Sequence, residues 1–77
     1  MTGQRETTRY ATPSLRRVRN DWRVTAHPWG EVVGITYERE AGWPAYKPNG
    51  RYAGLWPTKQ AAAEVLVKQA GYELEMT

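Results

Sequence analysis

Residues 43–63, which read WPAYKPNGRYAGLWPTKQAAA, decide the fold of this chain. Two short runs of strand-forming residues flank Pro48-Asn49-Gly50, where Asn-Gly accepts the positive φ angles that a tight hairpin turn requires. Thr58 follows the second run and is a good helix N-cap, because its hydroxyl accepts a hydrogen bond from the first free backbone amides. The stretch therefore predicts a β-hairpin that leads directly into an α-helix.

The helix that begins after Thr58 is expected to cover residues 59–70 and to be amphipathic. One stripe is apolar and the opposite stripe is polar, with Ala62, Val65, Leu66 and Ala70 on the first and Lys59, Gln60, Glu64 and Lys68 on the second. Gly71 follows at the position where a glycine commonly ends a helix. Ala62 is therefore predicted to face a sheet, and Ala63 is predicted to lie outside the buried stripe.

Upstream of the hairpin, apolar residues alternate with a period of two, which is typical of strands with one buried face. Strands are predicted at residues 22–26, 31–39, 43–47 and 51–56. His27-Pro28-Trp29-Gly30 forms the first turn, and Val33, Ile35 and Tyr37 are expected on one face of the second strand. The chain is thus predicted to be an α+β domain of order β-β-β-β-α, in which a small antiparallel sheet of three to four strands packs against one C-terminal α-helix.

The basic residues of the chain are concentrated at its N-terminus. The 77 residues carry a net charge of +3, but residues 1–23 hold six arginines against two acids, whereas residues 24–77 hold five basic and six acidic residues. Residues 1–14 are polar and show no apolar period, which is typical of a flexible segment. We therefore predict a flexible basic arm over residues 1–14 and a single sheet-plus-helix domain over residues 15–77.

The composition favours a small binding protein over an enzyme. The chain contains no cysteine and only one histidine, one serine and one aspartate, so we expect no catalytic site, no metal site and no cofactor. It has no apolar run long enough to cross a membrane and no export signal, so we expect a cytoplasmic protein with no membrane partner. Eight arginines against three lysines indicate the GC-rich codons of a high-GC bacterium or its phage.

The tryptophans are expected to divide between the core and the surface. Because the chain has no phenylalanine, Trp22, Trp43 and Trp56 are predicted to serve the core. Trp29 lies in a Pro-Trp-Gly turn and is predicted to be exposed. Gly54 is expected where another backbone or an aromatic ring crosses its strand, because a glycine removes the side chain that would block such a crossing.

A motif in the second half of the chain resembles known DNA-binding domains. It consists of Gly34, Trp43-x-Ala45, Asn49-Gly50-Arg51 and Gly54-x-Trp56-x-Thr58-x-x-x-Ala62-Ala63. This pattern resembles the plant ethylene-response-factor DNA-binding domain and the arm-site-binding domain at the N-terminus of tyrosine recombinases of phages and conjugative transposons. The resemblance implies a three-stranded antiparallel sheet on one C-terminal helix, with the exposed sheet face in the DNA major groove. The chain also faintly resembles double-stranded-RNA-binding domains. Its sequence does not show the N-terminal helix and the lysine cluster that those domains have.

The leading functional hypothesis is that the protein binds double-stranded DNA with its exposed sheet face and its basic arm. In such complexes, phosphate contacts position the protein and contacts to base edges specify the sequence. The expected arm contacts are Arg16, Arg17 and Arg19. The expected sheet contacts are Arg23, Tyr46, Lys47, Arg51 and Tyr52.

The alternative hypothesis is a phage or mobile-element module for protein–protein interaction, which binds a host protein through an aromatic sheet face or an unpaired strand edge. The net charge of −1 over residues 24–77 favours this alternative, because a DNA-binding face is expected to be basic. A basic stripe on the face opposite the helix would favour nucleic acid. An apolar patch larger than about 400 Å² there would favour a protein partner.

Overall fold

The computed structural model describes residues 8–75, which form a mixed six-stranded sheet and one helix. The elements are β1 (Tyr10–Val18), β2 (Asp21–His27), β3 (Glu31–Tyr37), β4 (Trp43–Tyr46), β5 (Tyr52–Trp56), α1 (Lys59–Gln69) and β6 (Glu73–Leu74). The strand order is β5-β4-β3-β2-β1-β6. Neighbouring strands from β1 to β5 pair antiparallel, whereas β6 pairs parallel with β1. The α+β class is confirmed, but six strands replace the predicted three to four.

The two additional strands are β1 and β6, at the two ends of the described chain. β1 pairs with β2 along most of its length, and β6 pairs with the start of β1. The predicted flexible arm over residues 1–14 is therefore wrong for residues 10–14, which belong to β1; residues 1–7 lie outside the described residues. The first half of β1 does alternate, with Ala11, Pro13 and Leu15 on the core side, but the pattern is weak because Ala11 is its only fully buried residue.

One helix covers the whole sheet because the sheet curls around it. α1 contacts all six strands, although its 11 residues extend only about 16 Å and six flat strands would span about 24 Å. Contact with every strand therefore requires a concave sheet with the helix in its concavity. Val24, Val33, Leu66 and Val67 are buried between them. Within residues 8–75, no element covers the opposite, convex face.

The buried side of α1 is wider than the sequence predicted. Ala62, Ala63, Leu66 and Val67 are buried, whereas Val65 is only partly buried. Ala62 faces the sheet as predicted, but the placement of Ala63 outside the buried stripe is wrong. The curled sheet surrounds the helix on more than one side, and so both alanines are completely inaccessible to solvent.

A β-bulge in β3 changes the face on which its residues lie. The register between β2 and β3 shifts between Val24 and Thr25, which leaves Val33 as an extra residue in β3. Such an extra residue interrupts the alternation of side chains between the two faces. The predicted common face for Val33, Ile35 and Tyr37 is therefore wrong, because Val33 is buried in the core while Ile35 and Tyr37 lie on the convex face.

Two glycines permit close contacts within the sheet. At Gly34, whose φ is 151°, a Cβ atom would lie 2.3 Å from the carbonyl oxygen of Tyr46 and 2.8 Å from the side chain of Leu66. At Gly54, a Cβ atom would lie 3.0 Å from the indole nitrogen of Trp56. The predicted crossing of a ring at Gly54 is thus confirmed, and α1 approaches β3 closely because residue 34 has no side chain.

The local turn and cap signals are confirmed. The hydroxyl of Thr58 accepts a hydrogen bond of 3.0 Å from the backbone N–H of Ala61, and Gly71 follows the C-cap with a φ of 101°. In the β4–β5 hairpin, the N–H of Gly50 donates to the carbonyl of Lys47 at 2.9 Å. These interactions act within a few residues, so they are readable from the sequence.

The tryptophans divide broadly as predicted. Trp43 and Trp56 are partly buried against the core, and Trp29 is half exposed. Trp22 is also partly buried. The ammonium group of Lys59, at the start of α1, lies 3.6 Å from the centre of the Trp22 ring. This cation–π contact joins the helix N-terminus to the concave face of β2.

Candidate nucleic-acid interface

One row of side chains crosses the convex face of the sheet over five strands. Residues that pair directly across neighbouring strands have their side chains on the same face. The pairs Arg16–Arg23, Arg23–Ile35, Ile35–Tyr46 and Tyr46–Tyr52 link β1 to β5 in order. With about 4.8 Å between strands, these five residues span about 19 Å. We call Arg16, Arg23, Ile35, Tyr46 and Tyr52 the cross-sheet row.

The burial pattern shows that the cross-sheet row faces away from α1. Val24 and Ala45, which follow Arg23 and precede Tyr46 in the chain, are completely buried in the core. Because successive side chains of a strand point to opposite faces, Arg23 and Tyr46 lie on the convex side. Tyr52 is 58% exposed there.

The β1–β2 end of the row is basic. Arg16 pairs directly with Arg23, and both side chains are exposed. Two residues away on the same face, Ser14 pairs with Thr25. Like charges in directly opposite positions destabilise a sheet. A phosphate between two guanidinium groups relieves that repulsion and receives charge-assisted hydrogen bonds from both.

The β3–β5 end of the row is aromatic. The rings of Tyr37 and Tyr46 are stacked, with 6.0 Å between their centres. The rings of Tyr46 and Tyr52 are tilted relative to each other, with 5.5 Å between their centres. The guanidinium of Arg39 lies 5.6 Å from the centre of the Tyr37 ring. A hydrogen bond to the Tyr46 hydroxyl is the main cause that raises the pKa of Tyr37 above 10.0. Tyr37 thus remains a neutral hydroxyl group at physiological pH, and a tyrosine hydroxyl can donate a hydrogen bond to a ligand.

The β4–β5 hairpin adds positive charge beside the tyrosines. The backbone N–H of Lys47 donates to the carbonyl of Arg51 at 2.8 Å, and the N–H of Arg51 donates to the side-chain oxygen of Asn49 at 2.9 Å. Lys47 follows Tyr46 and Arg51 precedes Tyr52, so both cations lie at the end of the hairpin next to the row. The turn that the sequence predicted thus brings these two residues together at the end of the hairpin, where Lys47 lines one depression with Tyr46 of the convex face and another with Leu66 of α1.

Arg17 and Arg19 do not belong to the cross-sheet row. Arg17 pairs with Trp22 and lies on the face opposite to Arg16, with its Nε donating to the carbonyl of Arg19 at 3.0 Å. Arg19 lies in the β1–β2 turn with a φ of 61°. Arg16, Arg17 and Arg19, which the sequence predicted as arm contacts, therefore lie in β1 or in the turn that follows it.

The sequence interpretation missed two residues of this face, Tyr37 and Arg39. Glu38 and Glu40 flank Arg39 in the sequence, and their carboxylates would repel phosphate. The structure places Tyr37 and Arg39 along an open depression of about 430 Å³ on the convex face. The alternation of Ile35, Tyr37 and Arg39 could have placed these three residues on one face. To know that this is the convex face, one must know that the bulge lies before residue 35.

The function of the chain has to be argued from this geometry. No protein-family model, curated protein or solved structure matches the chain. Among residues 8–75, no three metal-ligating side chains cluster together. The helix in this part of the chain is too short and too polar to cross a bilayer. The expectations that the protein is not an enzyme and binds no cofactor stay predictions.

Proposed function

We propose that the protein binds double-stranded DNA through the convex face of its sheet, with the cross-sheet row at the centre of the contact. The observation that carries this proposal is the composition of the row, which joins two arginines at one end to two tyrosines at the other. Guanidinium groups bind phosphates and guanine edges, and tyrosine hydroxyls bind phosphates or bases. No described element shields the row from a ligand.

The dimensions of the face support contact with the major groove. The axes of β2, β3 and β4 span about 10 Å, and the groove is about 12 Å wide. With these strands in the groove, Arg23 and Tyr46 approach base edges. Arg16 on β1 and Tyr52 on β5 then lie near the phosphates on either side. A convex sheet also suits a concave groove.

The resemblance to the ethylene-response-factor and recombinase arm-site-binding domains adds support. Residues 34–63 cover half of β3, all of β4 and β5, and the first turn of α1, which are the elements that the resemblance implies. We extend the proposal to the setting that the composition favours: a cytoplasmic protein of phage or mobile-element origin in a high-GC bacterium. Arg51 and Lys47 then add contacts at the hairpin end of the face.

The test is the salt dependence of duplex binding by matched variants. Fluorescence anisotropy of labelled duplexes is measured at several salt concentrations for the wild type, Arg16→Gln and Arg17→Gln. These two arginines are adjacent in β1 and both exposed, but they lie on opposite faces. Each lost phosphate contact flattens the slope of log affinity against log salt by about 0.9. We expect this change for Arg16→Gln and no change for Arg17→Gln.

Two outcomes would contradict the proposal in different ways. Equal changes for Arg16→Gln and Arg17→Gln would show that binding is not confined to the convex face. If the wild type binds no duplex of mixed sequence at a salt concentration of about 50 mM, where phosphate contacts are strong, DNA binding itself is wrong.

A protein partner is the second candidate function, and the apolar side chains of the same face favour it. Val32 is 43% exposed, and Leu55, which is 46% exposed, lines one depression with the exposed Tyr52. β5 also lies at the edge of the sheet and carries no charged residue. An uncharged edge strand is open to pairing with a strand of another chain. Absence of duplex binding by the wild type would favour this function.

A further inference from the structure

Four side chains meet where the β2–β3 turn, the start of β1 and the segment after α1 lie together. The guanidinium of Arg9 lies 4.6 Å from the centre of the Tyr72 ring and 5.3 Å from the centre of the Trp29 ring. The two ring centres are 6.2 Å apart. The Tyr72 hydroxyl donates a hydrogen bond to the carboxylate of Glu31. A cation thus lies against two aromatic rings, and the hydroxyl of one of them is hydrogen-bonded to a carboxylate.

We propose that Trp29, Tyr72 and Glu31 form a binding site for an alkyl guanidinium group, which Arg9 occupies within the same chain. Aromatic faces attract cations, and guanidinium groups also stack on rings because they are planar. The Glu31 carboxylate adds negative charge beside the ring of Tyr72. Tyr72 is buried and Trp29 is half exposed, so one side of the site is enclosed by the protein and the other side is accessible to solvent. This inference is independent of DNA binding.

The site fastens the two ends of the described chain to each other. The indole N–H of Trp29 donates to the carbonyl of Tyr10 at 2.8 Å, and the N–H of Glu73 donates to the carbonyl of Arg9 at 2.9 Å. β6 has only two residues, and so short a strand gains little from its own pairing. The bound guanidinium therefore adds to the attachment that these hydrogen bonds and the burial of Tyr72 provide between the start of β1 and the segment after α1.

The experiment replaces Arg9 and returns the missing fragment as a free ligand. Arg9→Ala retains Cβ, so N-ethylguanidinium is the part of the side chain that has been removed. We expect Arg9→Ala to lower the melting temperature by about 5 °C. N-ethylguanidinium at about 50 mM, a concentration close to the dissociation constant that we expect for so small a ligand, should raise the melting temperature by about 2 °C and so recover nearly half of this loss. Sodium chloride at the same ionic strength is expected to have no such effect.

Arg39→Ala is the matched control. Arg39 also stacks on a tyrosine, but it contacts the single ring of Tyr37 at 5.6 Å. N-ethylguanidinium is therefore expected to leave the melting temperature of Arg39→Ala unchanged. The proposal would be overturned if N-ethylguanidinium raised the melting temperatures of both variants equally. It would also be overturned if Arg9→Ala melted at the wild-type temperature.

A second variant and a local probe cover the case in which Arg9→Ala does not fold. Arg9→Lys retains the cation but not the planar group, and we expect it to melt below the wild type. Melting of Arg9→Lys at the wild-type temperature would show that the site does not select guanidinium. The indole N–H resonance of Trp29, followed by two-dimensional NMR, is expected to shift in Arg9→Lys. An unchanged resonance would refute the contact with Arg9.

Discussion

Arg16→Glu is expected to stabilise the folded protein while it weakens DNA binding. Arg16 and Arg23 are direct partners on β1 and β2, and both are exposed on the convex face. Like charges in this position repel, whereas opposite charges attract by about 0.2–1 kcal/mol. The substitution removes the repulsion and adds an attraction, so we expect a gain of about 1 kcal/mol. For a domain of this size, that gain raises the melting temperature by about 5 °C.

A double-mutant cycle separates this interaction from the other effects of the substitutions. Urea unfolding is measured for the wild type, Arg16→Glu, Arg23→Glu and the double variant, because urea does not change the ionic strength. The two single variants pair opposite charges and the other two proteins pair like charges. Because each single variant gains about 1 kcal/mol and the double variant gains nothing, the coupling energy is expected to be about 2 kcal/mol in magnitude. It should nearly vanish in about 1 M salt, where the Debye length is about 3 Å.

The matched cycle uses Arg17→Glu in place of Arg16→Glu. Arg17 faces the other side of β1, so its coupling to Arg23 is expected to be close to zero. A coupling energy near zero for Arg16 and Arg23 at low salt would refute the pairing of these side chains and, with it, the cross-sheet row. The same proteins tested by anisotropy should show weaker duplex binding for Arg16→Glu, because a carboxylate repels phosphate.

Three further predictions concern the core and the end of the sheet. Ala62→Glu and Ala63→Glu should each cost several kcal/mol, because both positions are completely buried; thermal melts in which Ala63→Glu resembles the wild type would contradict the packing of α1. Gly34→Ala should unfold most of the protein by circular dichroism, since its Cβ would lie 2.3 Å from a carbonyl oxygen. The hydrogen bond to Glu31 raises the pKa of Tyr72. The stabilisation that comes from this group should therefore be complete below pH about 10 and should be lost at higher pH. Urea unfolding at several pH values should show a smaller loss of stability for Tyr72→Phe than for the wild type.

The sequence alone determined the parts of the fold that depend on near neighbours in the chain. The hydroxyl of Thr58 caps the helix three residues away, and Gly71 ends it through a backbone conformation that suits glycine. The Asn-Gly turn similarly predicted the β4–β5 hairpin, and with it the positions of Lys47 and Arg51. Alternation within β2 likewise placed Arg23 on the face opposite to Val24, because it is a local pattern.

Only the tertiary structure decided which strands exist at the N-terminus and which side chains share a face. β1 has one fully buried residue and only a short apolar alternation, so its strand conformation depends mainly on pairing with β2. The bulge at Val33 reverses the alternation that follows it, and no local signal marks its position. Arg16 and Arg17 are neighbours in the sequence, but the register with β2 separates them onto opposite faces. Register depends on the sum of contacts along the paired strands, and a shift by one residue exchanges the faces of every side chain.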